Sequence, residues 1–190
     1  MRVLGIDPGL TRCGVGVVDV APDRRATLVA VTVIRTTPDT ALERRLLAVG
    51  DAIAELMDEH KPDAVAIERV FAQHNVRTVM GVAQISGVAL HAAASRRLPV
   101  GLHTPSEVKA SITGYGTAQK RQVQNMVAKV LGLAAIPKPA DAADALAIAI
   151  CHAWNVPLAT ADSAGSALTP AQQAWRAAEK ATKVPHRLTR

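Results

Sequence analysis

The sequence predicts an α/β fold in which a five-stranded mixed sheet carries helices on both faces. Three short segments rich in valine, isoleucine and threonine open the chain, a pattern typical of an antiparallel meander. Helical and strand-like patterns then alternate, which is typical of parallel strands joined by crossover helices, and further helices close the patterned region. Together these observations predict one sheet that combines antiparallel and parallel strands.

The three opening strands are bounded by clear turn signals. Residues 3–6 form an apolar run that stops at Asp7-Pro8-Gly9, and residues 14–20 resume the apolar pattern after a polar turn. Residues 27–35 are rich in valine, threonine and isoleucine, which favour strands. We therefore expect Asp7 at the carboxyl end of the first strand.

An amphipathic helix and a fourth strand follow the meander. Thr40 and Glu43 have the spacing of a helix capping box, and the helical pattern ends near Lys61-Pro62. The apolar residues that recur at steps of four and three along this helix are Leu42, Leu46, Val49, Ile53 and Leu56. Residues 64–67 then form a short apolar strand that ends in Glu68.

Residues 78–95 form a long segment without aspartate, glutamate, lysine or arginine. Its length approaches that of a bilayer span, but its alanines, glycines and polar residues make it only weakly apolar, so it predicts a buried or interface helix and no membrane segment. Residues 98–103 predict the fifth strand, and Pro105 opens a brief helix. Residues 118–131 and 140–154 complete the pattern as helices.

Length and composition favour one domain with a tail. The chain has 190 residues and a formal net charge of +6, which permits a nucleic-acid partner without requiring one. We expect a single domain over residues 1–156 and a variable, flexible C-terminal tail over residues 157–190, where alanine, serine, threonine and scattered cations prevail. Two isolated cysteines and an N-terminus unlike a signal peptide favour the cytoplasm.

Four acidic residues lie next to or within segments that are expected to be buried. Asp7 and Glu68 each follow an apolar strand, so parallel neighbouring strands would place both carboxylates at one edge of the sheet. Asp141 and Asp144 are three residues apart and share one face of a helix that is otherwise mostly alanine, leucine and isoleucine. Singly, each acid has a plain alternative as a turn residue, a surface acid or a helix-start residue.

The four acids together predict a metal centre. Carboxylates held close together in apolar surroundings repel one another unless a cation neutralises them. Hard oxygen ligands select Mg²⁺, with Mn²⁺ able to substitute. Four acids can hold two such ions, one to activate water and one to steady the leaving oxygen of a phosphodiester, so the pattern favours two-metal phosphodiester hydrolysis.

Weaker signals lie around this cluster. Residues 114–117, Gly-Tyr-Gly-Thr, precede a helix bearing Lys120 and Arg121, which resembles a phosphate cradle but fits a glycine turn at a helix end equally well. Lys109 adds a cation to the same stretch. Phe71 follows Glu68 in a polar segment, where it would either stack on an unpaired base or pack on the core.

Four segments give the chain a specific resemblance. They are residues 5–9 (GIDPG), 66–71 (AIERVF), 114–120 (GYGTAQK) and 140–147 (ADAADALA), and in this order and spacing they resemble the RuvC family of crossover (Holliday) junction endodeoxyribonucleases. The resemblance runs from the N-terminus to about Trp154, and the tail carries no motif of the family. It implies a ribonuclease H-like fold.

The resemblance also implies roles for individual residues. Asp7, Glu68, Asp141 and Asp144 would be the catalytic metal-binding carboxylates. Lys109 and Lys120 would contact DNA phosphates, with Lys120 closest to the chemistry. Phe71 would wedge against bases at the junction.

The partners that the resemblance implies are a four-way DNA junction, a second copy of the chain, and the RuvA and RuvB branch-migration proteins. Such a homodimer makes symmetric nicks in two strands of like polarity and leaves ligatable ends. The helix from about residue 76 to residue 97, with Gly81, Gly87 and many alanines, offers a close-packing face for a two-fold interface.

Two other classes of function compete with this interpretation. An actin-like or sugar-kinase-like ATPase also begins with an apolar strand, an aspartate and a glycine-rich hairpin, but it clasps its nucleotide between two lobes, and this chain has material for one. A junction-binding protein without catalysis would bind DNA and cut nothing in any metal.

Overall fold

A computed structural model of the protein describes residues 1–69 and 76–156, and these contain five strands and five helices. The strands are β1 (Arg2–Asp7), β2 (Arg12–Val20), β3 (Ala26–Arg35), β4 (Ala64–Glu68) and β5 (Val100–His103). The helices are α1 (Leu42–His60), α2 (Val76–Ser95), α3 (Pro105–Thr113), α4 (Lys120–Val130) and α5 (Ala140–Asn155). The predicted α/β class and five-stranded mixed sheet are confirmed.

The strands form one sheet in the order β3-β2-β1-β4-β5. The first three strands pair antiparallel, whereas β1 pairs parallel with β4 and β4 pairs parallel with β5. The β1–β4 register sets Ile6 opposite Ile67, so the next residues, Asp7 and Glu68, end neighbouring parallel strands at the same edge. This register follows from the two apolar runs, since a slip by one residue would turn both to the wrong face.

Each face of the sheet covers its own core. Val3 and Ala66 lie in a buried cluster with residues of α3, α4 and α5. Leu4, Ile6 and Ile67 lie in a second cluster with residues of α1 and α2. Because side chains alternate along a strand, Asp7 and Glu68 turn toward the face that carries α5.

Helix α5 lies directly on β1 and β2. A Cβ atom added to Gly5 would come within 2.7 Å of the Ala149 nitrogen, and one added to Gly14 would come within 2.8 Å of the carbonyl carbon of Asp141. Real Cβ atoms essentially never approach other atoms closer than 3.0 Å, so both strands need glycine at these positions. The start of α5 is thereby held against the end of β1.

The capping box predicted at Thr40 and Glu43 is wrong. Helix α1 begins at Leu42 with Ala41 as its N-cap and has no side-chain cap, because the Thr40 hydroxyl is bonded instead to the Thr37 hydroxyl at 2.8 Å. A complete capping box does precede α3, where the Thr104 hydroxyl accepts from the Glu107 N–H.

Two further expectations concern the helices and the tail. Within the described residues, no helix combines the length and apolarity that crossing a membrane requires. The expected C-terminal tail, residues 157–190, lies outside the described residues.

We predict that Gly5→Ala destabilises the protein by about 1–3 kcal/mol or more, because the added methyl group would overlap the α5 backbone. Gly87→Ala is the matched control, since a Cβ there meets nothing within 4 Å in the described part of the chain and alanine favours the exposed helix by up to about 1 kcal/mol. Urea unfolding of both variants measures the difference. Equal stability of the two would show that α5 does not depend on this contact.

Candidate active site

Three carboxylates meet where α5 crosses the end of β1. Asp7 ends β1, and Asp141 and Asp144 lie in the first turns of α5, three residues apart on one face. Asp7, Asp141 and Asp144 each offer an oxygen within 4.8 Å of the others. All three are half-buried, at an edge of the sheet where the backbone of α5 contacts Gly14.

Glu68 completes the cluster from the neighbouring strand. It ends β4 beside Asp7, is half-buried, and lines one cleft together with Asp7 and Asp144. The structure therefore brings together all four acids that the sequence singled out. We call Asp7, Glu68, Asp141 and Asp144 the carboxylate cluster.

Three members of the cluster, Asp7, Glu68 and Asp144, have raised pKa values. Burial, followed by the charges of Glu68, Asp144 and Asp141, raises the pKa of Asp7 to about 7. Burial and the Asp144 charge raise the pKa of Glu68, and burial raises the pKa of Asp144 against the opposing effect of Lys120. In the metal-free protein, ionisation of these three carboxylates is thus disfavoured.

Two lysines line the cleft beside the cluster. The Lys120 Nζ lies 2.5 Å from Asp144 Oδ2, at the start of α4. Burial alone would lower the pKa of Lys120, but its hydrogen bond and the charges of Asp144, Asp7 and Asp141 outweigh burial and raise it. Lys109 of α3 lines the same cleft and lowers the pKa of Glu68. We call this the lysine cleft.

Arg121 and the glycine turn do not line the lysine cleft. Arg121 is exposed on α4 and is not among the residues that line the lysine cleft. Gly114 ends α3 in the left-handed conformation, with its N–H bonded to the Ala110 carbonyl at 2.8 Å, so the glycine turn serves as a helix cap. Phe71 lies outside the described residues.

Sequence analysis missed Arg12, whose Nε lies 3.1 Å from Asp141 Oδ2. The side chain of Arg12 is 56% exposed and that of Asp141 19% exposed. Lys120 and Arg12 thus pair with the two acids of α5. The sequence did show that Arg12 follows the turn after Asp7, at the start of β2. Nothing in the local sequence indicated a contact between Arg12 and residue 141.

The cluster fits a divalent metal. Its donors are carboxylate oxygens, three of them within 4.8 Å of one another, and hard cations of the Mg²⁺ class take such ligands. The raised pKa values reflect burial and, after it, mutual repulsion that a bound cation would relieve. Lys120 and Arg12 leave this charge only partly compensated, so the donor set suits a cation better than a salt-bridge network.

Fold and site together define a class of ribonuclease H-like proteins with a metal-dependent nuclease centre. A family model described as "Crossover junction endodeoxyribonuclease RuvC" matches residues 3–152. The chain belongs to the RuvC family.

Individual relatives agree with this assignment. The protein of that description from Leifsonia xyli subsp. xyli is 68% identical, and the match covers 100% of this chain and 99% of the relative. The solved structure "T. thermophilus RuvC in complex with Holliday junction substrate" is 37% identical with a TM-score of 0.77, covering 80% of this chain and 93% of the other. The yeast mitochondrial Holliday junction resolvase Ydc2 shares the fold, with a TM-score of 0.53 at 16% identity over 78% of this chain and 77% of the other.

We predict that Asp7→Asn makes the metal-free protein more stable than wild type, increasingly so as pH rises. The folded-state pKa of Asp7, about 7, lies above its ordinary value of 3.8. The stability that wild type owes to this group is therefore full below pH 3.8 and is lost as pH rises through 7. The difference in free energy of unfolding between Asp7→Asn and wild type should grow by on the order of 2–4 kcal/mol between pH 4 and pH 8.

Urea unfolding in a chelator at several pH values measures that difference. Asp23→Asn, in the exposed β2–β3 turn at the opposite end of the sheet, is the control and should show no such growth. Added Mg²⁺ should stabilise wild type and leave Asp7→Asn nearly unchanged, because metal binds only the folded cluster. Equal stabilisation of both proteins would remove Asp7 from the metal ligands.

Proposed function

We propose that the protein is a structure-selective endodeoxyribonuclease that resolves four-way (Holliday) DNA junctions in recombination and repair by paired symmetric nicks. The observation that carries this proposal is the carboxylate cluster, which α5 and the parallel strands β1 and β4 assemble at one sheet edge. Family membership supports it, and the Thermus relative is described in complex with a Holliday junction substrate.

We assign two divalent cations, Mg²⁺ or Mn²⁺, to Asp7, Glu68, Asp141 and Asp144. Bound there, such ions would lower the pKa of water so that hydroxide is available to attack phosphorus, and would stabilise the negative charge that develops on the leaving oxygen. This assignment is supported by the anchoring of β1, β4 and α5, which carry the four acids, in the two cores. Little side-chain ordering is then needed when DNA and metal bind.

Lys120 acts beside the cluster in this proposal. Its ammonium group is held at Asp144 while its side chain remains 60% exposed, so it can reach a phosphate oxygen that enters the cleft. A fixed positive charge at that position stabilises the extra negative charge of the phosphate in the transition state. Lys109 extends the positive surface along the same cleft. Phe71 stays predicted as the aromatic wedge against bases, and Arg121 as an outlying phosphate contact.

Paired symmetric nicks need two active centres, so we propose a homodimer formed through α2. Met80, Ala83, Gly87 and Leu90 recur at steps of three and four along α2, and all are exposed. Small and apolar side chains in such a stripe allow close packing of two copies about a two-fold axis. We further propose the cytoplasm, where bacterial DNA lies, as the location, and RuvA and RuvB as partners.

A cleavage assay tests the proposed reaction. Labelled four-way junctions are incubated with wild type, Asp7→Asn or Asp23→Asn, with and without Mg²⁺, and the products are separated on a denaturing gel. We expect wild type and Asp23→Asn to nick two strands of like polarity at symmetric positions only with metal. Asp7→Asn should be slower by at least about 10²-fold, the order of loss when one charge-stabilising group is removed from a site.

The outcome that contradicts this proposal is binding without cutting in Mg²⁺ and Mn²⁺ alike. The protein would then be a junction-recognition module without catalysis. Cleavage by Asp7→Asn at the wild-type rate would instead leave the proposed reaction standing and reject Asp7 as part of the active centre.

We predict that Gly87→Arg gives monomers in analytical ultracentrifugation. A Cβ atom added at this exposed position meets nothing within 4 Å among the described residues, so we expect the fold to tolerate the side chain and a loss of dimer to report on the interface. Ala110→Arg, exposed on α3, adds the same charge away from α2 and should stay dimeric. A dimer that persists in Gly87→Arg would exclude this stripe of α2 from the interface.

A further inference from the structure

A second cleft opens at the same edge of the sheet, on the face of α1 and α2. It is lined by the turn Gly9–Arg12, by Arg45 of α1, by Gly81 and Val82 of α2, and by Asp141. The lysine cleft, by contrast, lies among α3, α4 and α5 and is lined by Asp7, Glu68 and Asp144. The carboxylate cluster therefore borders both clefts. We call the second one the arginine cleft.

Arg45 is held in the arginine cleft by neutral groups. Its Nε donates to Thr36 Oγ1 at 2.9 Å and its Nη2 donates to Thr11 Oγ1 at 3.0 Å. Among the described residues, no carboxylate lies within the 4.0 Å of Arg45 that would make an ion pair. Two hydroxyls thus fix the orientation of the guanidinium group and leave its charge uncompensated, as in a site prepared for an anion.

Arg12 contributes the second guanidinium group of this cleft. Its one short contact with a carboxylate in the described chain is from Nε to Asp141, and its side chain is 56% exposed. An arginine carries five N–H donors in a planar fork, so its terminal nitrogens remain able to donate to a phosphate. Arg12 therefore links the anion site to a member of the carboxylate cluster.

The sheet adds a third positive charge at a cost in stability. Arg12 of β2 pairs directly with Arg35 of β3, and Arg35 is exposed. Like charges opposite each other on neighbouring strands are destabilising. Arg35 does not line the arginine cleft, but its charge adds to the positive potential that a polyanion meets beside Arg12.

We propose that the arginine cleft binds a backbone phosphate of the cut DNA strand on one side of the scissile phosphate, while the lysine cleft holds that strand on the other side. This inference rests on the proposed nuclease function. A strand that enters along one cleft and leaves along the other must pass over the carboxylate cluster, because the cluster borders both. Arg45 is the anchor, and Arg12 joins the anchored phosphate to Asp141.

The first test measures junction binding without divalent metal, so that no strand is cut, over a range of salt concentrations. Arg45→Gln should lower the slope of log affinity against log salt by about 0.9, the loss of one phosphate contact on duplex DNA. Arg44→Gln is the matched control, because Arg44 is exposed on the same helix but does not line the arginine cleft. Its slope should stay close to that of wild type.

Arg45→Lys separates a binding role from a structural one. It keeps the charge and should recover most of the salt slope even though it cannot bridge both threonine hydroxyls. Recovery of stability without recovery of the slope would overturn the proposal. Thermal unfolding of each variant shows whether the protein compared in the binding assay is folded.

The second test locates the phosphate. Junctions carrying one neutral methylphosphonate near the cut site are bound to wild type, Arg44→Gln and Arg45→Gln. At one position beside the scissile phosphate, the substitution should weaken wild type and Arg44→Gln several-fold but leave Arg45→Gln unchanged, because that variant has already lost the contact. Equal effects on all three proteins at every position would overturn the proposal.

The two levels of inference fail separately in these experiments. A wild type that neither prefers the junction to linear duplex nor cuts it with Mg²⁺ rejects the proposed function. A wild type that cuts, with Arg45→Gln behaving like Arg44→Gln in both tests, rejects the arginine cleft alone.

Discussion

The contact between α5 and the first two strands is the constraint on which the rest of the structure depends. Gly5 and Gly14 remove the side chains that would keep the helix away, so backbone meets backbone and the first turns of α5 reach the end of β1. Most of α5 is buried, and this packing supplies the free energy that holds the helix in place. A looser contact, with ordinary side chains in between, would separate Asp141 and Asp144 from Asp7 and Glu68.

That packing must offset a local penalty, because it forces acidic groups together. Burial and mutual repulsion raise the pKa values of Asp7, Glu68 and Asp144, so the metal-free protein loses stability at the cluster as these groups ionise. Lys120 and Arg12 each pair with one acid of α5 and reduce the penalty. They leave enough unbalanced charge for divalent cations to bind, which is the common exchange of stability for activity in an active site.

The sequence was sufficient to predict the positions of the four acids, because the local hydrophobic pattern there matches the burial in the structure. Asp7 and Glu68 each follow an apolar run, and Asp141 and Asp144 have the spacing of one helix face, so strand ends and helix face could be predicted without coordinates. The cap of α1 could not, because two hydroxyls, those of Thr40 and Thr37, bond each other instead of the helix. The Arg12–Asp141 pair joins residues far apart in the chain, and only the packing of α5 brings them together. For the proposed dimer face the sequence offered only a composition rich in small residues.

The chemical difference between the two clefts fits their places around the cluster. Arginine presents a rigid planar fork, and the fork of Arg45 is further fixed by two hydroxyls, so it suits a group that sets the register of a strand. Lysine is a compact charge on a flexible stem, and Lys120 stays 60% exposed while paired with Asp144, so it can follow a phosphate whose charge changes during reaction. A rigid anchor on one face and an adjustable charge on the other would hold the strand still where the bond breaks. In this proposal the two faces of the sheet serve one reaction, since each core positions one of the two cationic groups on its own side of the carboxylate cluster.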